Sequence, residues 1–309
     1  MHIRPYEAGD ESLAIALWND SLTRDQIDRK NFYNRMIYDV NFNPSNYLLA
    51  CEGDVPVGFI YCTRRVVHDE IFGLEPGKGW IVAMGVHPNF RRRGIARKLV
   101  EKAENNLAGV TQIDLATYTT NYFFPGVDKT AYASGVNFFE ALGYENRGEC
   151  VSMEIDLHDY TYPEKYKDKR KLLEMQGYVI KPFEPWDAVA TFAFLRESFP
   201  DWLPLVRASA IADKGEERVI VAKDKQGDVV GFVMRGMDGT VERFGPFGVR
   251  SDQQGISLGS LLFNEMMLSM VRQRIFHAYF MWTEGRNREI YASWGMKIFR
   301  EYCQMSKMF

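Results

Sequence analysis

The residues with the clearest chemical grammar lie in one turn. Val82-Ala83-Met84-Gly85-Val86-His87-Pro88-Asn89-Phe90 reads as a buried strand closing in a Pro-marked turn, and Arg91-Arg92-Arg93-Gly94-Ile95-Ala96 follows at once. Beyond it Ile95, Leu99, Ala103 and Leu107 recur every fourth residue, so the turn opens a helix that lays one apolar stripe on a sheet. Small residues at such a helix start let backbone N–H groups come close to an anion, and the helix dipole adds partial positive charge there. Arg91, Arg92 and Arg93 can add charge-assisted hydrogen bonds to phosphate. The ligand this predicts is a phosphate or pyrophosphate. The turn lacks the Gly-Lys-Ser/Thr ending of a Walker loop, and it stands too late for the Gly-x-Gly-x-x-Gly of a dinucleotide fold. Taken alone, Arg-x-x-Gly-x-Ala is a weak signal, and an arginine run on an exposed helix start is the plainer alternative.

The turn has a counterpart. Gly248-Val249 leads into Gln254-Gly255-Ile256-Ser257-Leu258-Gly259, and Leu258, Leu262 and Met266 continue a helical stripe. The elements around it repeat too. Ile3-Arg4-Pro5-Tyr6-Glu7 is echoed by Ile180-Lys181-Pro182-Phe183-Glu184, each a strand-like segment before an acidic turn and a helical pattern. Those helical patterns carry Leu13, Ala16 and Leu17 in one copy and Val189, Phe192 and Ala193 in the other. A hairpin follows in each, 47–51 with 55–61 and 218–222 with 229–234, which sets Gly58-Phe59 against Gly231-Phe232. A third strand ends in Gly85-Val86 and in Gly248-Val249, and the late segment 138–144 is echoed by 290–296. Offsets between equivalent positions are 177 at Ile3 and Ile180, 173 at Gly58 and Gly231, 163 at Gly85 and Gly248, and 152 at Gly143 and Gly295. They fall steadily and never reverse, as two copies of one fold give when the second has shorter loops.

Length and composition fit this duplication. At 309 residues, 46% apolar and 26% charged, the chain has room for two modest cores. The formal net charge of −3 argues against a protein that coats nucleic acid. The start, Met1-His2-Ile3-Arg4-Pro5, leads into no signal-type apolar stretch and no long apolar run follows, so a cytoplasmic protein without a membrane span is expected. Cys51, Cys62, Cys150 and Cys303 are scattered without a Cys-x-x-Cys pair, which predicts buried free thiols and no structural metal site. The division expected is one domain over 1–157, a charged linker over 158–177 that is part helix, and a second domain over 178–309.

With the duplicated turn in view, the chain resembles the GCN5-related N-acetyltransferase (GNAT) family in a tandem layout similar to mycothiol synthase-like acetyltransferases. The family's acyl-CoA signature, Gln/Arg-x-x-Gly-x-Gly/Ala, is matched by Arg91-x-x-Gly94-x-Ala96, and by Gln254-x-x-Ser257-x-Gly259 with one departure. Its late aromatic-Glu-x-Leu-Gly-aromatic motif is similar to 138–144. The resemblance covers about residues 1–157 and 178–309. It implies an α/β (α+β) fold of two GNAT-like domains, each a mixed, mostly antiparallel sheet flanked by helices and splayed between its fourth and fifth strands. The thioester of acetyl-CoA would lie in that gap, with the pyrophosphate on the Arg91, Arg92, Arg93, Gly94, Ile95, Ala96 turn or on Gln254, Gly255, Ser257 and Gly259.

The activity implied is acetyl transfer from acetyl-CoA to a small-molecule amine by direct attack on the thioester. That reaction needs a neutral amine, a stabilised oxyanion and, less urgently, a proton for the leaving thiolate. The resemblance assigns oxyanion stabilisation to backbone N–H groups at Met84 and Val86 in the first half and at Phe247 and Val249 in the second. It assigns the thiolate's acid to a late-helix tyrosine, and that position is Phe139 in the first half and Tyr291 in the second. Glu242 and Glu284 are the base candidates of the second half. Asp69, Glu70 and His87 are noted in the first, His87 being placed where a histidine more often caps a turn. The insertion 121–128, Asn-Tyr-Phe-Phe-Pro-Gly-Val-Asp, would either wall the acceptor site or cover a sheet edge. Phe139 and Ser257 also suit a second reading, a non-catalytic acyl-CoA-binding or interaction protein with a degenerate second domain. Aminoacyl transfer from tRNA by a related tandem fold is disfavoured by the net charge of −3.

Overall fold

The structure is a computed structural model that describes every residue except Thr120. Its contacts group into two units, Met1–Val151 with Arg300–Phe309, and Ser152–Phe299. The first unit contains β1 (His2–Pro5), α1 (Glu11–Ser21), α2 (Arg29–Phe32), β2 (Tyr47–Glu52), β3 (Val55–Thr63), β4 (Lys78–Val86), α3 (Ile95–Asn106), β5 (Gln112–Leu115), β6 (Val127–Asp128) and α4 (Ala133–Glu140). Strand β7 (Glu145–Asp156) begins in it and runs on into the second unit. That unit holds α5 (Glu164–Met175), β8 (Val179–Pro182), α6 (Ala188–Ser198), α7 (Leu203–Ile211), α8 (Gly215–Arg218), β9 (Val219–Lys223), β10 (Val229–Arg235), β11 (Phe244–Val249), α9 (Leu258–Arg272), β12 (His277–Thr283) and α10 (Gly285–Ser293). Strand β13 (Lys297–Met308) starts in the second unit and returns to the first at Arg300.

The strands of the first unit follow the order β1-β2-β3-β4-β5-β13, antiparallel except for the parallel β4–β5 pair. Strand β4 is apolar along almost its whole length because both its faces are covered, by α1 on one side and α3 on the other. The α3 stripe expected from spacing is the buried one: Ile95, Leu99, Ala103 and Leu107 are 0–2% exposed. Strands β11-β10-β9-β8 form a four-stranded antiparallel sheet in the second unit, with α9 packed on β10 and β9.

Glycines explain two of the sequence echoes. A Cβ on Gly58 would stand 3.1 Å from Ile95 and 3.2 Å from Leu99, and one on Gly231 would stand 2.9 Å from Leu262. The glycines therefore let α3 sit close on β3 and α9 close on β10. The phase of the first helix in each copy differs from the expectation. In α1 the buried residues are Ala14, Leu17, Trp18 and Ser21, while Leu13 and Ala16 are exposed. In α6 they are Thr191, Phe194 and Leu195, while Val189 and Ala193 are exposed. The large rings of Trp18 and Phe194 bury the most area and set the rotation of each helix.

All four cysteines are buried free thiols. Among the described residues no helix is long and apolar enough to cross a membrane. The charged connector carries α5, as a part-helical segment would. The repeat placed 300–309 with the second half, whereas contacts group these residues with the first: Ser306, Lys307 and Met308 pair with Asp114, Ile113 and Gln112 of β5, and Tyr302 and Cys303 pair with Asp128 and Val127 of β6.

Candidate active site

The sheet of the first unit opens where the fifth strand stops. Strands β4 and β5 pair only from Lys78 to Ile81 against Gln112 to Leu115, and the Ala116 N–H still donates to the Ile81 carbonyl at 2.8 Å. Ala116 then takes a left-handed φ of 65°, which turns the chain away while β4 continues to Val86. The result is a cleft beside the second half of β4.

At the end of β4 the turn is pinned by its own arginines. Arg91 Nε donates to the Val86 carbonyl at 2.9 Å and Arg91 Nη2 to the Ser21 carbonyl at 3.0 Å. Arg93 Nη2 donates to the Asn89 carbonyl at 3.1 Å, and its guanidinium lies 5.0 Å from the centre of the Phe90 ring. Arg92 and Gly94 are both left-handed, with φ of 62° and 78°, and Gly94 is the N-cap of α3. The N–H groups of the first turn of α3 are thus delivered to the cleft without an intrahelical acceptor. His87 caps the short helix before this turn, its Nδ1 accepting from Asn89 N–H at 3.2 Å.

A cavity of ≈ 520 Å³ fills the cleft. Met84, Val86, Arg91, Arg92, Gly94, Ile95 and Ala96 all border it, so seven of the residues named from sequence meet on one surface. Arg93, turned back on Asn89, is not among its lining residues. The far bank is made by Phe124 and Asp128 of the aromatic insertion, by Tyr132 and Phe139 around α4, and by Arg300 and Tyr302 of β13. Phe123 packs tilted against Trp18 and Phe124 stacks on it, with ring centres 4.9 Å and 6.3 Å away, so the insertion is anchored to α1 as it walls the cavity.

A buried ionic cluster stands on that bank. Arg300 Nη1 and Nη2 both donate to Asp25, the second at 2.9 Å, and Arg300 Nε donates to Asp128 Oδ2 at 2.6 Å. The Tyr132 hydroxyl donates to Asp25 Oδ2 at 2.7 Å, and Asp128 Oδ1 accepts from the N–H groups of Thr130 and Ala131 at 2.8 and 2.7 Å. Burial alone would loosen the Arg300 proton, yet the bonds to Asp25 and Asp128 hold its pKa above the ordinary value. Burial, and then the bond to Asp25, push the Tyr132 phenol above its ordinary range, so it stays a donor. Sequence pattern did not single out Tyr132, Asp25, Arg300 or Tyr302. Asp25 and Tyr132 lie in connections without periodicity, and the repeat assigns the β13 residues to the other copy.

The second turn copies the backbone of the first. Gln254 Nε2 donates to the Val249 carbonyl at 3.4 Å, as Arg91 does to Val86, and Gly255 and Ser257 are left-handed with φ of 86° and 73°. Aromatic rings crowd the start of its helix. A Cβ on Gly259 would stand 3.2 Å from the tip of Phe247 and 3.7 Å from Trp294. Tyr291 packs at 6.4 Å from Phe247, 5.5 Å from Trp294 and 4.6 Å from Phe280, and burial pushes its phenol pKa upward. Glu242 is half-buried and its backbone carbonyl accepts from Tyr279 N–H at 3.1 Å, while Glu284 is exposed at the N-cap of α10.

Residues 12–123 match the model of the acetyltransferase (GNAT) family. The first unit carries a GNAT acetyltransferase domain. Members of this family are N-acetyltransferases that use acetyl-CoA. Solved structures extend the GNAT fold to the whole chain. A tandem GNAT protein from the clavulanic acid biosynthesis pathway shares 15% identity at a TM-score of 0.65, over 99% of this chain and 98% of its own. A GCN5-related N-acetyltransferase from Sphaerobacter thermophilus shares 17% at 0.71, over 99% and 95%. A glucosamine N-acetyltransferase region of a fungal multi-domain GH3 β-N-acetylglucosaminidase shares 18% at 0.81, over 99% of this chain and 38% of that one. The chain thus spans well under half of the fungal protein, and at these identities the likeness is one of fold. No curated protein sequence matches.

Proposed function

We propose that the first unit takes acetyl-CoA with its phosphates on the turn that opens α3 and transfers the acetyl group to a small-molecule amine. The observation that carries this reading is the cavity running from the Gly94 turn along β4 to Tyr132 and Arg300. The residues present suit the cofactor. An open helix start preceded by two left-handed residues suits a pyrophosphate, and Arg92 and Arg97 border the same cavity. Bound there, acetyl-CoA would supply an acyl group activated as a thioester: a neutral amine would form the C–N bond as the C–S bond breaks, and the proton released from nitrogen would pass to the departing thiolate or to water. The backbone of Met84 and Val86 lies where β4 is paired with β3 on one edge but no longer with β5 on the other, and that open edge is the source of N–H donation to the oxyanion. Phe139 at the acid position is no obstacle, because a thiol with a pKa of about 8.5 leaves as thiolate without help. Arg91 acts by holding the turn against α1 and β4, and Phe124 walls the acceptor side.

In this reading the second unit is structural. Its Phe247, Tyr291 and Trp294 rings pack at the place that corresponds to the first unit's cleft, so Tyr291, Glu242 and Glu284 have no catalytic task. A cytoplasmic setting agrees with four free thiols.

The test follows thiol release from acetyl-CoA with D-glucosamine, spermidine and tyramine as acceptors. Met84→Phe, which gives the first unit the residue of the second, is expected to lower kcat/KM by roughly 100-fold, the scale of a misplaced reacting group. Tyr291→Phe is expected to leave it unchanged. A fall with Tyr291→Phe and none with Met84→Phe would transfer the activity to the second unit. Acetyl-CoA binding without thiol release for any amine would favour the non-catalytic reading.

A further inference from the structure

We propose that the first unit's cavity brings no base to the reaction, so that its acceptors are weakly basic amines that arrive neutral, such as amino sugars and arylamines, rather than simple alkylamines. The inference rests on the reading of that cavity as the acetyl-transfer site and adds the class of acceptor. A base must reach the amine within hydrogen-bond distance or through one water. Four of the titratable side chains bordering the cavity are guanidinium groups, Arg91 and Arg92 in the turn, Arg97 on α3 and Arg300 on β13, and these keep their protons. Two are phenols, Tyr132 beside α4 and Tyr302 on β13. A phenol is protonated at neutral pH, and burial with the bond to Asp25 pushes Tyr132 further that way. Among the described residues that border the cavity, Asp128 on β6 is the one carboxylate, and no histidine, lysine or cysteine joins it. Its side chain is 5% exposed. Oδ1 accepts from the Thr130 and Ala131 N–H groups and Oδ2 from Arg300 Nε at 2.6 Å, so a proton taken there would break a charge-assisted bond.

Neighbouring groups are turned elsewhere. Asp25 does not border the cavity and is held by Arg300 and Tyr132, while His87 accepts from Asn89 N–H and stands 4.0 Å from Asp20. Phe124, Phe138 and Phe139 give the same space an apolar wall, where an ammonium would lose hydration without a partner. An amine that enters protonated thus has no lone pair for the thioester and no group to relieve it of its proton. A neutral amine needs no such group: its nitrogen forms the C–N bond as the C–S bond breaks, and its proton passes to the departing thiolate or to water. At about pH 7.5 roughly a thousandth of an amine with a lysine-like pKa of about 10.4 is neutral, against roughly a third of one with an α-amino pKa of about 7.8. Nucleophilicity rises with basicity less steeply than the neutral fraction falls, so the weaker base is favoured.

The test follows thiol release from acetyl-CoA between about pH 6 and about pH 9 with two weak bases, D-glucosamine and 4-aminophenol, and two strong ones, tyramine and spermidine. At about pH 7.5 the better weak base is expected to show kcat/KM at least about tenfold above either strong one. For each amine accepted, kcat/KM should climb about tenfold per pH unit and level at that amine's own pKa, so the levelling point moves with the acceptor and the profile of 4-aminophenol is almost flat. Asp128→Asn, which removes the one carboxylate of the wall, should leave those levelling points in place whatever it does to the rate. A levelling point shared by all the amines, one that disappears in Asp128→Asn, or a strong base preferred over both weak ones at about pH 7.5 overturns the proposal. Acetyl-CoA binding is measured alongside by calorimetry. Failure to bind it, or binding with none of the four amines acetylated, instead removes the reading of the cavity on which the proposal stands, and the proposal with it.

Discussion

Two positions in the turns that open α3 and α9 take a left-handed backbone, and each copy fills them differently. The first uses Arg92 and Gly94, the second Gly255 and Ser257, so each has one glycine and one strained residue. Spacing reveals Ser257 as a departure from the family signature, but the compensating glycine at 255 becomes meaningful only once φ is known. A non-glycine residue in this region costs about 1–2 kcal/mol, partly offset by the greater freedom of glycine in the unfolded chain. Ser257→Gly is therefore expected to stabilise the protein by about 1 kcal/mol, read as a rise in Tm by calorimetry. An unchanged or lower Tm would mean that Ser257 is held by contacts that compensate the strain. Arg91, expected from its type to bind phosphate, borders the cavity and also pins the turn through its bonds to the Val86 and Ser21 carbonyls.

Elements with strong periodicity were legible. The α3 and α9 stripes, both hairpins and the ends of β4 and β11 at Val86 and Val249 follow from apolar spacing and turn residues. Helices α1 and α6 were placed but rotated wrongly, because small and large apolar residues count alike in a pattern while Trp18 and Phe194 dominate burial. The cleft itself was invisible, since it depends on where β4–β5 pairing ends and on the φ of Ala116. Close packing of helix on sheet depends on the repeated glycines. Gly58→Val would push into Ile95 and Leu99, and Gly231→Val into Leu262, each with an expected overpacking cost of about 1–3 kcal/mol. Denaturant unfolding measures that loss, and an undiminished midpoint would show that α3 or α9 can back away without cost.

At the scale of the molecule, a repeat suggests self-contained halves, yet β13 closes the first unit's sheet. Two copies of one pattern do not disclose which copy's edge a strand will join, because the alternation of its residues fits either. Arg300 and Tyr302 thus escaped the site predicted from the first copy. Ending the chain at Phe299 would leave β5 without its β13 partner and remove both residues from the cavity. The expected result is lost hydrogen-exchange protection at Ile113, whose amide faces Lys307 of β13, with protection kept at Gln112, which donates to the Gly77 carbonyl; protection kept at Ile113 would show that the first unit closes without β13.

We propose that one acyl-CoA site operates per chain and that it lies in the first unit. Calorimetric titration with acetyl-CoA decides this. One equivalent should bind per chain; Arg91→Ala with Arg93→Ala, which unpins the first turn, should abolish binding, and Gln254→Ala should leave it intact. Two equivalents per chain, or binding lost only with Gln254→Ala, would contradict the account.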